Sequence, residues 1–138
     1  MKLAICGSRT LDNTHSLIRG LMLMLPLNNV KEIVSGGCPS GVDFGTKQFA
    51  ECDYWNDYSV LDYQLIYTEF PADWNTHGKA AGPIRNKQMA EYSDILLLIW
   101  DGKSKGSANM KKEMEKLGKP VYEVIIKAPK QKNLSAEL

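Results

Sequence analysis

The chain has 138 residues, 43% of them hydrophobic and 24% charged, and a formal net charge of +1. This length supports one domain with a core of its own, and this composition excludes wholesale disorder. The balanced charge gives no general electrostatic case for DNA or a membrane surface, so nucleic acid is not expected as a partner. The N-terminus runs straight into Leu3-Ala4-Ile5-Cys6, too short for a signal peptide, and no apolar run reaches bilayer length, so the expected location is cytoplasmic. Cys6, Cys38 and Cys52 form no CxxC pair and only two histidines accompany them, so free thiols are expected, with no metal and no cofactor.

Lys2 to Cys6 reads as a first strand, and Gly7-Ser8-Arg9-Thr10 as the turn after it. Asp12 or Asn13 can cap a helix with Leu17, Leu21 and Met24 on one face and Ile18, Met22 and Leu25 beside it, which Pro26 and Asn28-Asn29 then end. Glu32-Ile33-Val34 is a buried strand leading into Ser35-Gly36-Gly37-Cys38-Pro39-Ser40-Gly41-Val42-Asp43, a turn with three glycines. Val42, Thr46, Phe49 and Ala50 follow at helical spacing, and Ser40 with Asp43 fits a capping box. Asp53 to Tyr63 mixes acids and aromatics and reads as either a binding or oligomer surface or a cap on the sheet edge. Gln64-Leu65-Ile66-Tyr67 is a third strand, and Glu69 to Lys79 a loop with Pro71, Trp74 and His77. Gly82-Pro83 opens a helix with Met89 and Tyr92 on one face. Ile95 to Ile99 lacks alternation, as a parallel strand covered on both faces should. Trp100-Asp101-Gly102 turns the chain, and Gly106-Ser107 opens a helix bearing Met110, Met114 and Leu117 that Gly118 ends. Val121 to Ile126 is the last strand. The predicted fold is α/β: an open parallel sheet of five strands, order 3-2-1-4-5, in a Rossmann-like three-layer αβα domain over residues 1–126, with 127–138 as a loose tail. A flavodoxin-like order satisfies the same alternation.

In such a sheet the ligand crevice lies beyond the carboxyl ends of the strands. Three turns at that edge are rich in glycine and serine: Gly7-Ser8, Ser35-Gly36-Gly37 and Gly106-Ser107. Together they suggest a cradle of backbone amides for phosphate or another anion. Arg85, near the start of its helix, can hold phosphate in two-pronged fashion, or sit in a salt bridge; Arg9 is similarly placed. Asp43 can act as acid or base, hold a ribose hydroxyl, or simply cap its helix, and Trp74 can stack on a base or lie over the core. No GxxxxGK[ST] loop occurs, and no GxGxxG follows the first strand, so ATP hydrolysis and ordinary hydride transfer lack support. His15 and His77 read as surface residues, and the lysines at 103, 105, 111 and 112 as a solvated helix face.

Gly7-Ser8-Arg9, Ser35-Gly36-Gly37 and Gly41-Val42-Asp43 resemble the SLOG superfamily of Rossmann-like nucleotide-binding domains. Pro71-Ala72-Asp73-Trp74, the run from Gly78 to Asn86, and Trp100-Asp101-Gly102 with Gly106-Ser107 resemble its small stand-alone branch related to YspA and YpsA. The resemblance implies a phosphorylated nucleotide or nucleotide-derived small molecule, akin to NAD or ADP-ribose, bound by a sensor or sequestering module that forms homodimers. The residues it implies at the ligand are Gly7, Ser8, Arg9, Ser35, Gly36, Gly37, Asp43, Trp74, Arg85, Asn86, Gly106 and Ser107. Relatives diverge: the "lonely guy" enzymes cleave the N-glycosidic bond of nucleoside 5′-monophosphates, and DNA-processing protein A relatives bind single-stranded DNA. A phosphoribohydrolase using Arg85 and Asp43 is therefore the alternative. Against it, Gly106-Ser107 is followed by Ala108-Asn109-Met110 where those hydrolases carry glutamates, and Glu113 comes a turn later.

Overall fold

The computed structural model describes residues 1–25, 29–51 and 65–127. The predicted helix stop at Pro26 and Asn28, the aromatic stretch Asp53 to Tyr63, and the tail from 128 onward lie outside the described residues. The strands are β1 (Lys2–Gly7), β2 (Glu32–Ser35), β3 (Ile66–Glu69), β4 (Ile95–Trp100) and β5 (Val121–Ile125). The helices are α1 (Thr14–Met24), α2 (Gly41–Glu51), α3 (Trp74–His77), α4 (Ala81–Tyr92) and α5 (Lys105–Lys116), with a short 3-10 turn, Gly78–Ala80, ahead of α4.

All strand pairs are parallel and the order is β3-β2-β1-β4-β5, as the alternation of elements predicts. The period of two along each strand splits the core into two clusters on opposite faces of the sheet. Leu3, Ile5, Ile33, Leu97 and Ile99 meet Ile18 of α1 and Val42, Phe49 and Ala50 of α2. Ala4, Cys6, Val34, Leu96, Leu98 and Trp100 meet Met89 and Ala90 of α4 and Met110 and Met114 of α5. Every residue of β4 is buried, which is why its sequence shows no polar alternation. Gly45 lets α1 and α2 cross closely: a Cβ there would lie 1.8 Å from Thr14 Oγ1. Helix α5 ends in a Schellman-type cap, with Gly118 at φ +66 and Lys119 N–H donating to Met114 O at 3.1 Å. The Lys119 ammonium in turn caps the end of α4, donating to the carbonyls of Ala90, Glu91 and Ser93.

Several local expectations are corrected. Met24, the last residue of α1, is 82% exposed, and Leu117, the residue that caps the C-terminus of α5, is 48% exposed. Strand β3 runs Ile66–Glu69, beginning after Leu65 and in register with β2 through Glu32 opposite Ile66; Gln64 lies outside the described residues. The stretch predicted as a loop contains α3, whose N-cap Asp73 accepts from Thr76 N–H at 3.1 Å. Asn13 occupies the N-cap of α1 in a left-handed conformation and makes no side-chain cap bond; Thr14 instead ties α1 to α2 by donating from Oγ1 to Gly41 O at 2.9 Å.

Among the described residues, no helix is long and apolar enough to cross a membrane. The chain runs outward from β1 to β3, then returns to the other side of β1 with β4. The switch point therefore lies between the carboxyl ends of β1 and β4, where the crevice of an open α/β sheet forms.

Candidate functional site

A cavity of about 70 Å³ opens at that switch point. It has room for a handful of water molecules, or one group the size of a phosphate. Of the residues predicted at the site, Gly7 and Arg9 reach it from the end of β1, and Gly36 and Asp43 from the turn and helix after β2. Arg85 and Asn86 reach it from the first turns of α4, and Gly106 and Ser107 from the start of α5. Gly37 and Trp74 line a neighbouring groove of about 220 Å³ that shares Arg9, Gly36, Cys38 and Arg85 with the cavity. Ser8 and Ser35 line neither. Both are buried in the framework: Ser8 Oγ accepts from Asp101 N–H at 3.1 Å and so joins the β1 turn to the β4 turn, and Ser35 Oγ accepts from Gly37 N–H at 3.2 Å.

Sequence reasoning missed Cys6, Cys38, Ser40, Ser104 and Met110 as cavity walls. Cys38 and Ser40 stand inside the glycine-rich turn, so the turn itself was the available signal. Met110 follows Ser107 by three residues on α5, and that helical spacing was enough to place both on one face.

Arg85 is the most constrained side chain here. Its Nη1 donates to Gly36 O at 2.8 Å and to Phe70 O at 3.4 Å, and its Nε donates to Asn86 Oδ1 at 2.9 Å. Asn86, 6% exposed, passes the tie onward: its Nδ2 donates to Gly106 O at 3.2 Å and to Asn109 Oδ1 at 3.0 Å. The guanidinium thus joins the ends of β2 and β3 to the start of α5 and keeps its second amino group, Nη2, without a protein partner among the described residues. Asn109, in the stretch where the hydrolases of the resemblance carry glutamates, accepts from Asn86 Nδ2 and so helps to hold it.

The expected cradle of backbone amides is corrected in part. Ser8 N–H donates to Ile99 O, Val42 N–H to Ser8 O, Gly37 N–H to Ser35 Oγ, and Cys38 N–H to Asp43 Oδ2 at 3.1 Å. Gly41, at φ +67, makes the close approach behind this possible: a Cβ there would lie 2.2 Å from Ser8 O. The capping box is also replaced, since Asp43 accepts from Cys38 N–H rather than from Ser40 N–H. What remains open to an anion is the first turn of α5 together with the guanidinium groups of Arg9 and Arg85. That helix end is held in place by Asp101 Oδ1, which accepts from Lys103 and Ser104 N–H, both at 2.9 Å. The same two bonds hold the Asp101 carboxyl below the usual carboxylate range.

Asp43, 9% exposed, is the carboxylate of this cavity. Gly36 stands between it and Arg85: a Cβ on residue 36 would lie 2.4 Å from Arg85 Nη1 and 2.9 Å from Asp43 Oδ2. Burial pushes the Asp43 carboxyl up; the Cys38 N–H bond, Arg85 and Arg9 oppose this, and Glu69 adds to it. Burial and then Asp43 push the Cys6 thiol up, so Cys6 stays protonated. A carboxyl whose folded pKa lies above its unfolded value stabilises the fold in its protonated form. That contribution is present below the ordinary Asp value and is lost as pH rises through the raised folded value. An Asp43→Asn chain, which keeps an oxygen for Cys38 N–H, should therefore melt higher than the parent near neutral pH. The gap should close on acidification, as read by thermal unfolding from pH 4 to pH 8.

The base-sized groove beside the cavity presents Trp74, 50% exposed, with the Arg9 guanidinium carbon 6.0 Å from its ring centroid. That pairing makes one flat wall of mixed aromatic and cationic character. Among the described residues, no group of His, Cys, Asp and Glu side chains is suited to a metal ion.

No protein-family model matches the chain, and no curated protein matches it. Among solved structures, it is similar to that of DNA processing protein A from Helicobacter pylori, described for its single-stranded DNA binding mode. The identity is 21% and the TM-score 0.60, over 99% of this chain and 72% of the other. This finding overturns the partner expectation that set nucleic acid aside. That expectation rested on a whole-chain charge of +1, which does not report local charge: Arg9 and Arg85 both line one rim. The likeness shows the fold: a five-stranded parallel α/β sheet of Rossmann type, with its crevice between β1 and β4.

Proposed function

We propose that this rim binds the phosphate of a nucleotide unit, and that the unit belongs to a single-stranded nucleic acid. The observation that carries the reading is the adjacency of two unlike spaces. A phosphate-sized cavity with two guanidinium groups and a helix N-terminus opens, through Arg9 and Arg85, into a groove walled by Trp74. Phosphate positions and a stacked base holds; one aromatic platform contributes about 1–3 kcal/mol per base. The likeness to a protein described as binding single-stranded DNA supports the choice of a polymer over a free nucleotide. The SLOG resemblance supports a nucleotide at this edge of the sheet. The hydrolase alternative is less well served, because N-glycosidic cleavage generally uses a pair of carboxylates. Among the described residues, Asp43 is the carboxylate lining the cavity, and Asn109 is tied to Asn86.

The test is fluorescence anisotropy with a labelled single-stranded oligonucleotide, competed by nucleoside monophosphates, ADP-ribose and inorganic phosphate. Binding should weaken with salt, with a logarithmic slope of about −1 to −2 if Arg9 and Arg85 each neutralise one phosphate. Tight binding of a free nucleotide with none of the oligomer would replace the polymer reading by that of a nucleotide sensor. No binding and no thermal stabilisation by any member of the panel would sink both.

A further inference from the structure

We propose that the phosphate held at this rim is an internucleotide one, and that the base on its far side lies against Phe44 in a second groove. The inference rests on the reading of the cavity as a nucleotide phosphate site, and it names the linkage that the site takes. A terminal phosphate carries one nucleoside; a phosphodiester carries two. The molecule provides a space on each side of the cavity. On one side is the Trp74 groove, and on the other a groove of about 470 Å³ at the starts of α1 and α2. Ser40 walls both this groove and the cavity, and Pro39 walls both grooves. The glycine-rich turn is thus the divide that the strand crosses.

Two observations point to a base beside Phe44. Helix α2 buries Val42, Asp43, Gly45 and Thr46, which leaves Phe44 46% exposed as a wall of the groove. An aromatic side chain so placed serves no core and offers a stacking face. His15 walls the same groove, and its Nδ1 is buried without a partner among the described residues, an orphan that the fold itself does not explain. Asn13 and Gln48 add exposed amides, which can both donate to and accept from a base edge.

Charge assigns the two spaces. Among the described residues, no lysine or arginine walls this groove, whereas Arg9 and Arg85 wall the cavity. The phosphate therefore goes to the cavity and an uncharged base to the groove. The cavity has room for one phosphate-sized group, so the link between the two bases is a single phosphodiester rather than a pyrophosphate. The walls are tied to one another and to the rim: Thr14 Oγ1 donates to Gly41 O at 2.9 Å, and Val42 N–H donates to Ser8 O at 3.1 Å.

The experiment titrates the protein with thymidine 5′-monophosphate, with thymidylyl-(3′→5′)-thymidine, and with two thymidines joined 5′ to 5′ by a pyrophosphate. NMR chemical shifts follow the binding, since they read weak affinities. Near neutral pH a terminal phosphate carries close to two negative charges and a phosphodiester one, so charge alone favours the monophosphate. With both grooves in use, the phosphodiester should still bind at least about fivefold tighter, the lower bound for one stacked base. Phe44→Ala should erase that advantage in a chain that melts close to the parent, because the side chain lies outside the core. Phe44→Tyr should keep it. Trp74→Ala should erase it as well, since either loss leaves one groove. The pyrophosphate should bind more weakly than the phosphodiester. A monophosphate that binds as tightly as the phosphodiester, or an advantage that survives Phe44→Ala, would overturn the proposal and leave the nucleotide site standing. A pyrophosphate that binds more tightly would overturn the single-phosphate link. If the parent chain binds none of the three, the nucleotide reading itself falls, and this inference with it.

Discussion

Replacing Arg85 with methionine should lower oligonucleotide affinity by about thirty-fold or more, equivalent to about 2 kcal/mol, within the cost of deleting one member of a charge-assisted contact. Methionine keeps most of the aliphatic stem, so the change isolates the guanidinium. The loss has two parts. One is the unpartnered amino group, Nη2, which is available to a phosphate. The other is internal: Gly36 O, Phe70 O and Asn86 Oδ1 lose their donor, which should cost the fold about 1–2 kcal/mol. Measuring affinity per folded molecule, with unfolding followed separately, keeps the two apart. Arg85→Lys should recover only part of the affinity, since an ammonium cannot hold two carbonyls and a phosphate in one plane. Gly36→Ala probes the same contact from the other side. Its Cβ falls 2.4 Å from Nη1, so it should displace the guanidinium and weaken binding with the charge still present. An Arg85→Met chain that folds and binds as well as the parent would remove Arg85 from the site.

Much of this architecture was legible in the sequence because periodicity reports burial. The all-apolar run Ile95 to Ile99 declared a strand covered on both faces, and Val42, Thr46, Phe49 and Ala50 declared the buried face of α2. The start of β3 was not legible. It is an edge strand with Ile66 57% exposed, and its register is set by pairing with Glu32 to Ser35 rather than by its own hydrophobicity. At the rim, the sequence showed which residues converge but not which donors are spent. Glycine-rich turns announce close approach; they do not announce that Val42 N–H goes to Ser8 O or Cys38 N–H to Asp43. The site is therefore less an amide cradle than a pair of arginines beside one open helix end. Ser8, which the motif placed at the ligand, instead holds the turn after β4 through Asp101 N–H.

Gly7→Ala should be strongly destabilising for a single added methyl. Gly7 pairs with Ile99 across β1 and β4, and a Cβ there would lie 1.7 Å from Ile99 O and 2.6 Å from Val42 Cγ2. The first of these is a backbone atom in a fully buried strand. Ile99 is itself paired with Val124 of β5 on its far side, so β4 cannot shift without disturbing the sheet on both flanks. At Gly36 the same methyl meets the far end of a long side chain, which can swing away. At Gly7 nothing flexible is in the path. The carbonyl it would strike also accepts from Ser8 N–H at 3.1 Å, so relief of the clash would break the turn that carries Arg9. Overpacking against backbone should cost about 3 kcal/mol or more, which lowers the melting temperature by about 10 °C for a chain of this length. Gly106→Ala is the matched control at the same rim. A Cβ there meets nothing within 4 Å, and alanine favours the helix, so that chain should melt at or slightly above the parent. The contrast isolates the approach of β1 to β4 from any general effect of losing glycine. A Gly7→Ala chain that melts with the Gly106→Ala chain would mean that β1 does not meet β4 in this register, and the crevice between them would have to be drawn elsewhere.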